Sequence, residues 1–217
     1  LGGGRPVAPF VATAPKIAAV VFAFRILVTG MGTIHSDWAP MLAILAVASL
    51  VVGNLAAIMQ TNIKRMLAYS TVSHMGFILL AFMAGAVGFT AGLYYAITYA
   101  LMAAVSFGVL MVLSTKDIEC EEIKDLAGLN HRHAWFAFLM LLSMFSMAGI
   151  PPLMGFYAKF GVIMALLKQG YVWLSVFAVI MSLIGAFYYL RVVKVIYFDA
   201  PDHDQPVGSN YAAKFVL

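Results

Sequence analysis

The chain has 217 residues, of which 64% are hydrophobic and only 10% charged, and its mean hydropathy is +0.97. Soluble domains average about 45–50% apolar and 25% charged residues, so the composition predicts an integral membrane protein surrounded by a lipid bilayer. The net charge of +4 is modest and the basic residues are scattered over loops, which excludes a nucleic-acid-binding face. The single cysteine, Cys120, cannot build a disulfide framework or a thiolate metal site.

Six apolar segments are each long enough to cross a bilayer as a helix, which takes about 20 residues. Their hydrophobicity is continuous and does not alternate, which predicts helices rather than the strands of a barrel. The predicted fold class is therefore an all-α integral membrane protein with about six transmembrane helices. In chain order the predicted spans are Pro9–Val28, Ala39–Met59, Met66–Ala84, Phe89–Leu113, Trp135–Leu167 and Val172–Phe198.

The fifth span contains a helix-breaking run, Gly149-Ile150-Pro151-Pro152. The two prolines lack backbone N–H groups, and their rings clash with the preceding helical turn. Lipid cannot satisfy the freed backbone groups, so we expect the break to be buried in protein or to face a wet cavity. Lys159 follows this break in an apolar stretch. A titratable side chain beside such a break indicates an ion or proton path through the membrane.

Four titratable residues in or near the spans are candidate proton-translocation residues: Lys16, Lys64, His74 and Lys159. A charge at the centre of a bilayer costs about 2.5–3.5 kcal/mol on insertion scales, so such residues need a reason to be there. In a low dielectric the protonation of a lysine responds strongly to its neighbours, as a proton relay requires.

On the third span, Lys64, Leu67, Thr71 and His74 follow steps of three and four residues and therefore share a helix face. This partly polar stripe would hold water between two helices. For two residues of the stripe, Lys64 and His74, a role that does not involve proton transfer is also expected. Lys64 lies beside Arg65 at a predicted membrane boundary, where a plain topological anchor is equally expected, and His74 would also serve as a structural hydrogen-bonding group.

Loop charge predicts the orientation of the chain. With six spans, the start of the chain, the loops after the second and fourth spans, and the end of the sixth span lie on one side of the membrane. This side has most of the basic residues, so by the positive-inside rule we expect it to be cytoplasmic. These residues are Arg5, Lys64, Arg65, Lys116, Lys124, Arg132, Arg191 and Lys194. The opposite side has little beyond Lys168 and Arg25.

The longest polar stretch between spans, Ser114–Arg132, mixes acidic residues with isoleucines and leucines. A short amphipathic surface helix and an ordinary solvated loop both fit it, and a docking site for a soluble partner is a third alternative. We expect His131-Arg132-His133 to form an interfacial cap or a headgroup contact rather than a metal cluster. Neither a Ser-His-Asp set nor paired acids nor zinc-ligand spacing occurs, so we expect no active site for covalent chemistry here.

Four segments of the chain resemble known motifs. Residues 53–76, which begin Gly53-Asn54 and run through Gln60-Thr61-Asn62 to His74, resemble a signature of the antiporter-like subunits of respiratory complex I, the proton-pumping NADH:quinone oxidoreductase. Gly149–Phe160 is similar to the broken helix of that family. Phe10–Lys16 matches its helix with another membrane lysine, and Arg191–Phe198 fits the end of a late helix.

The family fold contains two inverted five-helix repeats, each with one broken helix. The resemblance implies that residues 1–30 form the last helix of the first repeat and residues 31–198 the second repeat. Residues 199–217 would be a cytoplasmic tail or the start of a further helix. We therefore expect the chain to be the C-terminal half of a longer protein, without the residues for proton uptake. The start Leu1-Gly2-Gly3-Gly4-Arg5 departs from the family pattern.

The resemblance also implies a function. Lys16 would pass protons along the middle plane of the membrane toward Lys159, with His74 and bound waters between them. Electrons would pass from NADH through FMN and iron–sulfur clusters to quinone in partner subunits, so this chain would contain no cofactor, metal or redox site. The expected partners are other membrane subunits, including further antiporter-like ones. The Ala- and Gly-rich spans favour a bacterial inner membrane.

Two alternatives remain. The chain would also fit a subunit of a multi-subunit cation/proton antiporter without redox partners. The second alternative is a structural membrane scaffold whose lysines are only buried packing partners.

Overall fold

The apolar segments form helices connected mostly by short turns. The structure, a computed structural model, describes residues 17–114 and 121–200. The helices in this part of the chain are α1 Ile17–Gly30, α2 His35–Ile58, α3 Ile63–Met83, α4 Gly85–Leu113, α5 Leu129–Arg132, α6 Ala134–Ala148, α7 Met154–Lys168 and α8 Val172–Phe198. Four of the described helices, α2, α3, α4 and α8, are individually long and apolar enough to cross a membrane.

The predicted all-α membrane fold is confirmed, and the spans differ from prediction mainly at their ends. The first span is described only from Ile17, so Lys16 and the preceding residues lie outside the described part. The third span begins at Ile63 because Asn62 caps it, with the Asn62 side chain accepting a hydrogen bond from the backbone N–H of Arg65 at 3.0 Å. The fifth span is broken as predicted, into α6 and α7.

Helices α2 and α3 pack backbone to backbone. A Cβ atom at Gly53 would lie 2.5 Å from the backbone nitrogen of Ser73, so only glycine fits at this crossing. Small residues at helix crossings permit such approaches within membranes. The crossing brings the C-terminal part of α2 against the middle of α3, where His74 lies.

The loops of one face are tied together. Around residues 59–62, Ile63 donates its N–H to the carbonyl of Glu121 at 2.7 Å, and Ile123 donates to Thr61 at 2.9 Å. Arg191 of α8 donates to the carbonyl of Ile58, the last residue of α2, and to the carbonyl of Gln60 in the turn that follows it. We call this side of the bundle, with residues 59–62 and 121–133, the basic face.

The polar segment before α6 is not one amphipathic helix. Residues 115–120 lie outside the described part, and the rest forms a short 3-10 turn, Ile123–Leu126, and the single turn of α5. Ile123, Leu126 and Leu129 are buried, so the described stretch is packed onto the bundle rather than solvated. Arg132 acts as a cap, donating to the carbonyls of Asp125 and Ala127.

Candidate functional site

The break between α6 and α7 is closed by local hydrogen bonds. Gly149 ends α6 in the left-handed region, with φ +88°, and its N–H donates to the carbonyls of Phe145 and Ser146. On the other side of the break, the N–H of Gly155 donates to the Ser146 hydroxyl at 3.0 Å. Ser146 therefore satisfies an N–H of α7 that has no partner within its own helix. This arrangement places the start of α7 against the end of α6.

Lys159 points back from α7 toward this break. Its ammonium donates to the carbonyl of Ala148, the last residue of α6, at 2.9 Å, and to the Ser182 hydroxyl of α8, also at 2.9 Å. Its Nζ atom lies 5.5 Å from the centroid of the Phe77 ring, a favourable position for a cation. Lys159 is only 7% exposed. These contacts are all with neutral groups.

His74 lies between two tyrosine hydroxyls. Its Nδ1 atom is 2.7 Å from the hydroxyl oxygen of Tyr95 on α4, and its Nε2 atom is 2.9 Å from that of Tyr189 on α8. A neutral imidazole accepts at one nitrogen and donates at the other, and a hydroxyl can do either. Both tautomers therefore fit without moving a heavy atom. The Tyr99 ring lies 4.6 Å from the imidazole.

A small cavity of about 10 Å³ joins the two residues. Its lining includes His74 and Lys159, with Asn54, Ser73, Ser182, Tyr188 and Tyr189 as further polar residues. A volume of about 10–15 Å³ on this measure is the minimum that holds one water molecule, which also needs two to four polar partners. None of the described residues that line the cavity is acidic. The cavity therefore has about the minimum volume for one water molecule, and both titratable side chains line it.

The other two predicted site residues lie elsewhere. Lys64 is at the basic face, with its Nζ atom 3.4 Å from the Glu121 carboxylate. Ten residues of α-helix, about 15 Å, separate Lys64 from His74. Between them Thr71 bonds the Tyr99 hydroxyl at 2.6 Å, so part of the predicted polar stripe contacts α4. Lys16 lies outside the described residues.

Sequence reasoning missed several of the polar residues around the cavity. Tyr189 and Ser182 were not singled out, and neither was Tyr95 as a partner of His74. Tyr188-Tyr189 is a pair of hydroxyl-bearing residues in the middle of an apolar span, which is a usable signal. Ser182 gives none, because a serine within a membrane helix commonly bonds its own backbone.

The sequence of the chain matches a known family. Residues 1–185 match the model of the NADH:quinone oxidoreductase/Mrp antiporter transmembrane family. The chain belongs to this family. Its membership confirms the resemblance seen in the sequence motifs.

Relatives with established names are similar over the whole chain. The NADH-quinone oxidoreductase subunit N of Neisseria gonorrhoeae is 79% identical over 100% of this chain and 45% of that protein. The subunit N of Nitrosomonas europaea is 56% identical over 95% of this chain and 43% of that protein. The chain thus spans a little under half the length of these relatives.

Solved structures give the same picture. A chain of respiratory complex I from Thermus thermophilus with bound Aureothin is 31% identical, with a TM-score of 0.72, over 81% of this chain and 40% of that chain. A chain of the Mrp complex from Dietzia sp. DQ12-45-1b is 26% identical, with a TM-score of 0.78, over 88% of this chain and 35% of that one. Shape alone does not separate redox-driven relatives from Mrp ones.

Proposed function

We propose that the chain is the C-terminal half of a proton-translocating membrane subunit of NADH:quinone oxidoreductase, corresponding to subunit N. Residues 1–30 would be the last helix of the first repeat, residues 31–198 the second repeat, and residues 199–217 a tail. The identity of 79% to a protein named as that subunit supports this assignment over the Mrp alternative.

The observation that carries the proposal is the cavity between His74 and Lys159. Both side chains are buried among neutral hydrogen-bonding groups. A scaffold has no need for a titratable pair sharing a space the size of one water molecule, and burying such groups is costly in a membrane. A proton relay needs this arrangement, because each group must gain and lose a proton as its surroundings change.

The relay proceeds in steps that the chain's own groups supply. Lys16 delivers protons along the middle plane of the membrane, and Lys64 stands at the basic-face end of α3. His74 takes up a proton at one nitrogen and releases one from the other, with Tyr95 and Tyr189 as its hydroxyl partners. Lys159 receives the proton through the cavity and releases it toward the opposite face.

The remaining parts of the proposal concern the assembly. NADH, FMN, iron–sulfur clusters and quinone would be bound by partner subunits, and this chain would contribute no redox site. Its neighbours would be other membrane subunits, including further antiporter-like ones. The protein would lie in a bacterial inner membrane with the basic face toward the cytoplasm, following the positive-inside rule.

The test is Lys159→Ala in the complete complex, reconstituted in vesicles, with proton uptake and NADH oxidation measured together. We expect proton uptake per assembled complex to fall at least about tenfold, as when a group acting in proton transfer is removed. Lys168→Ala is the matched control, because Lys168 is the exposed last residue of the same helix. Normal pumping by Lys159→Ala would support the scaffold and reject the relay.

The antiporter alternative predicts a different result in the same vesicles. It requires sodium/proton exchange that is independent of NADH, and purification without flavin or iron–sulfur subunits. Co-purification with those subunits, together with uptake that stops when NADH is exhausted, would reject it.

A further inference from the structure

Asn54 is a buried amide that lines the cavity but belongs to neither end of the relay. It lies on α2, is 1% exposed, and reaches across to α8. Its Nδ2 atom donates to the carbonyl of Met181 at 3.0 Å, and its Oδ1 atom accepts from the Tyr188 hydroxyl at 3.1 Å. The Asn54 side chain is therefore hydrogen-bonded to two residues of α8.

The orientation of this amide is fixed by its partners. The carbonyl of Met181 can only accept a hydrogen bond, so it requires the nitrogen end of the amide. The oxygen end then faces the Tyr188 hydroxyl, which donates. A flipped amide would set two acceptors against each other and leave a buried carbonyl without this bond.

Gly185 makes room for the contact. A Cβ atom at position 185 would lie 3.2 Å from the Asn54 Oδ1 atom, which is tighter than most contacts of real Cβ atoms. Met181 and Gly185 are four residues apart, so they bound one turn of α8. Asn54 thus contacts both ends of this turn, as well as Tyr188 beyond it, and Ser182 lies within the turn.

Ser182 is the α8 residue that accepts from the Lys159 ammonium at 2.9 Å. We propose that Asn54 is a positioning residue, which holds the Met181–Gly185 turn of α8 in the rotation that presents Ser182 to Lys159. This inference rests on the proposed relay and deepens it. The hydrogen bonds of the Asn54 side chain run to α8, so it acts on Lys159 through Met181 and Ser182.

The test is a double-substitution cycle in the complete reconstituted complex. Asn54→Leu removes both hydrogen bonds at similar volume, and Ser182→Ala removes the hydroxyl that Lys159 uses. We expect each to lower proton uptake per assembled complex by roughly three- to tenfold, the range for losing one ordinary hydrogen bond. The double variant should be no slower than the slower single, because both remove the same contact.

Ser175→Ala is the matched control. Ser175 is a buried serine of α8 whose hydroxyl donates to the carbonyl of Tyr171, away from the cavity. We expect it to leave uptake per assembled complex unchanged.

Three results would overturn the inference. They are normal uptake per complex for Asn54→Leu, a fall only in the amount of assembled complex, or single effects that multiply in the double variant. If Asn54→Leu does not assemble, Gly185→Ala decides, because its methyl group displaces the amide without removing it, and normal uptake would then reject the idea. If Lys159→Ala pumps normally, the relay itself fails. If Lys159→Ala lowers proton uptake and Asn54→Leu does not, the relay is supported and Asn54 has no part in it.

Discussion

The Nζ atom of Lys159 lies 2.9 Å from the carbonyl oxygen of Ala148, so the helix after the break binds the last residue of the helix before it. The last carbonyls of a helix have no hydrogen-bond partners within the helix, and within a membrane there is little water to bind them instead. Side chains of a helix lean toward its N-terminus, which directs Lys159 back to the break. The break therefore supplies a ligand for the cation, and the geometry of the break governs that of the lysine.

The first prediction tests this coupling with two glycines of similar backbone conformation. Gly149 has φ +88° and Gly170 has φ +81°, so alanine at either position strains the backbone by about 1–2 kcal/mol. A Cβ atom at Gly149 would also lie 3.0 Å from the Lys159 Cδ atom, whereas one at Gly170 meets nothing within 4 Å. Thermal midpoints of the purified complex should fall similarly for both alanine variants. Only Gly149→Ala should lower proton uptake per complex, and equal uptake would contradict the coupling.

A second prediction concerns the closure of the break. A Cβ atom at Gly155 would lie 1.8 Å from the carbonyl oxygen of Ser146, which no small shift accommodates. Gly155→Ala should therefore push α7 from α6 and markedly lower the yield and thermal midpoint of the complex. Gly161→Ala, in the same helix, places its methyl group 3.7 Å from the Ala91 Cβ atom, an ordinary contact.

The control should move in the opposite direction. Glycine within a helix is less stable than alanine by roughly 0.5–1 kcal/mol, so Gly161→Ala should leave the complex unchanged or slightly more stable. The two variants are compared by thermal unfolding. A stable Gly155→Ala complex would mean that the halves of the broken helix do not meet as described.

The fold was largely predictable because it follows from hydrophobic length and helix breakers. Residues 149–152 predicted the break, and the continuous apolar runs predicted the spans. The segment before α6 was harder. Ile123, Leu126 and Leu129 are apolar residues in a charged stretch, and only their packing on the bundle decides between a surface helix and a buried turn.

The site was predictable only in part. The depth of Lys159 in an apolar stretch indicated a buried titratable group, and spacing along α3 placed His74 on a polar stripe. Their partners come from α4 and α8, and no spacing within one helix relates His74 to Tyr189 or Lys159 to Ser182. Pairing between distant helices depends on their packing, which residue spacing along the sequence does not reveal.

A third prediction addresses the hydroxyls that flank His74. Tyr95→Phe and Tyr189→Phe each leave one imidazole nitrogen without its hydroxyl partner, at a cost of about 1–3 kcal/mol for a buried polar group. We expect each to lower proton uptake per complex at least about threefold if the imidazole exchanges protons through its partners. Tyr94→Phe is the control, because Tyr94 is 40% exposed on the outside of α4. Equal rates for all three variants would leave His74 with a structural hydrogen-bonding role only.

The last prediction separates the relay role of Lys64 from the anchor role. Its ion pair with Glu121 joins side chains that are 40% and 46% exposed, and such pairs contribute about 0–1 kcal/mol. Lys64→Ala should therefore change the thermal midpoint of the complex very little. If Lys64 serves the relay, proton uptake per complex falls, whereas an anchor leaves it unchanged once the complex is assembled. Lys194→Ala is the matched control, because Lys194 is a more exposed lysine with an acidic neighbour, Asp199, at 3.9 Å. Equal uptake in the two variants would assign Lys64 to anchoring, and the relay would then run from Lys16 through His74 to Lys159 alone.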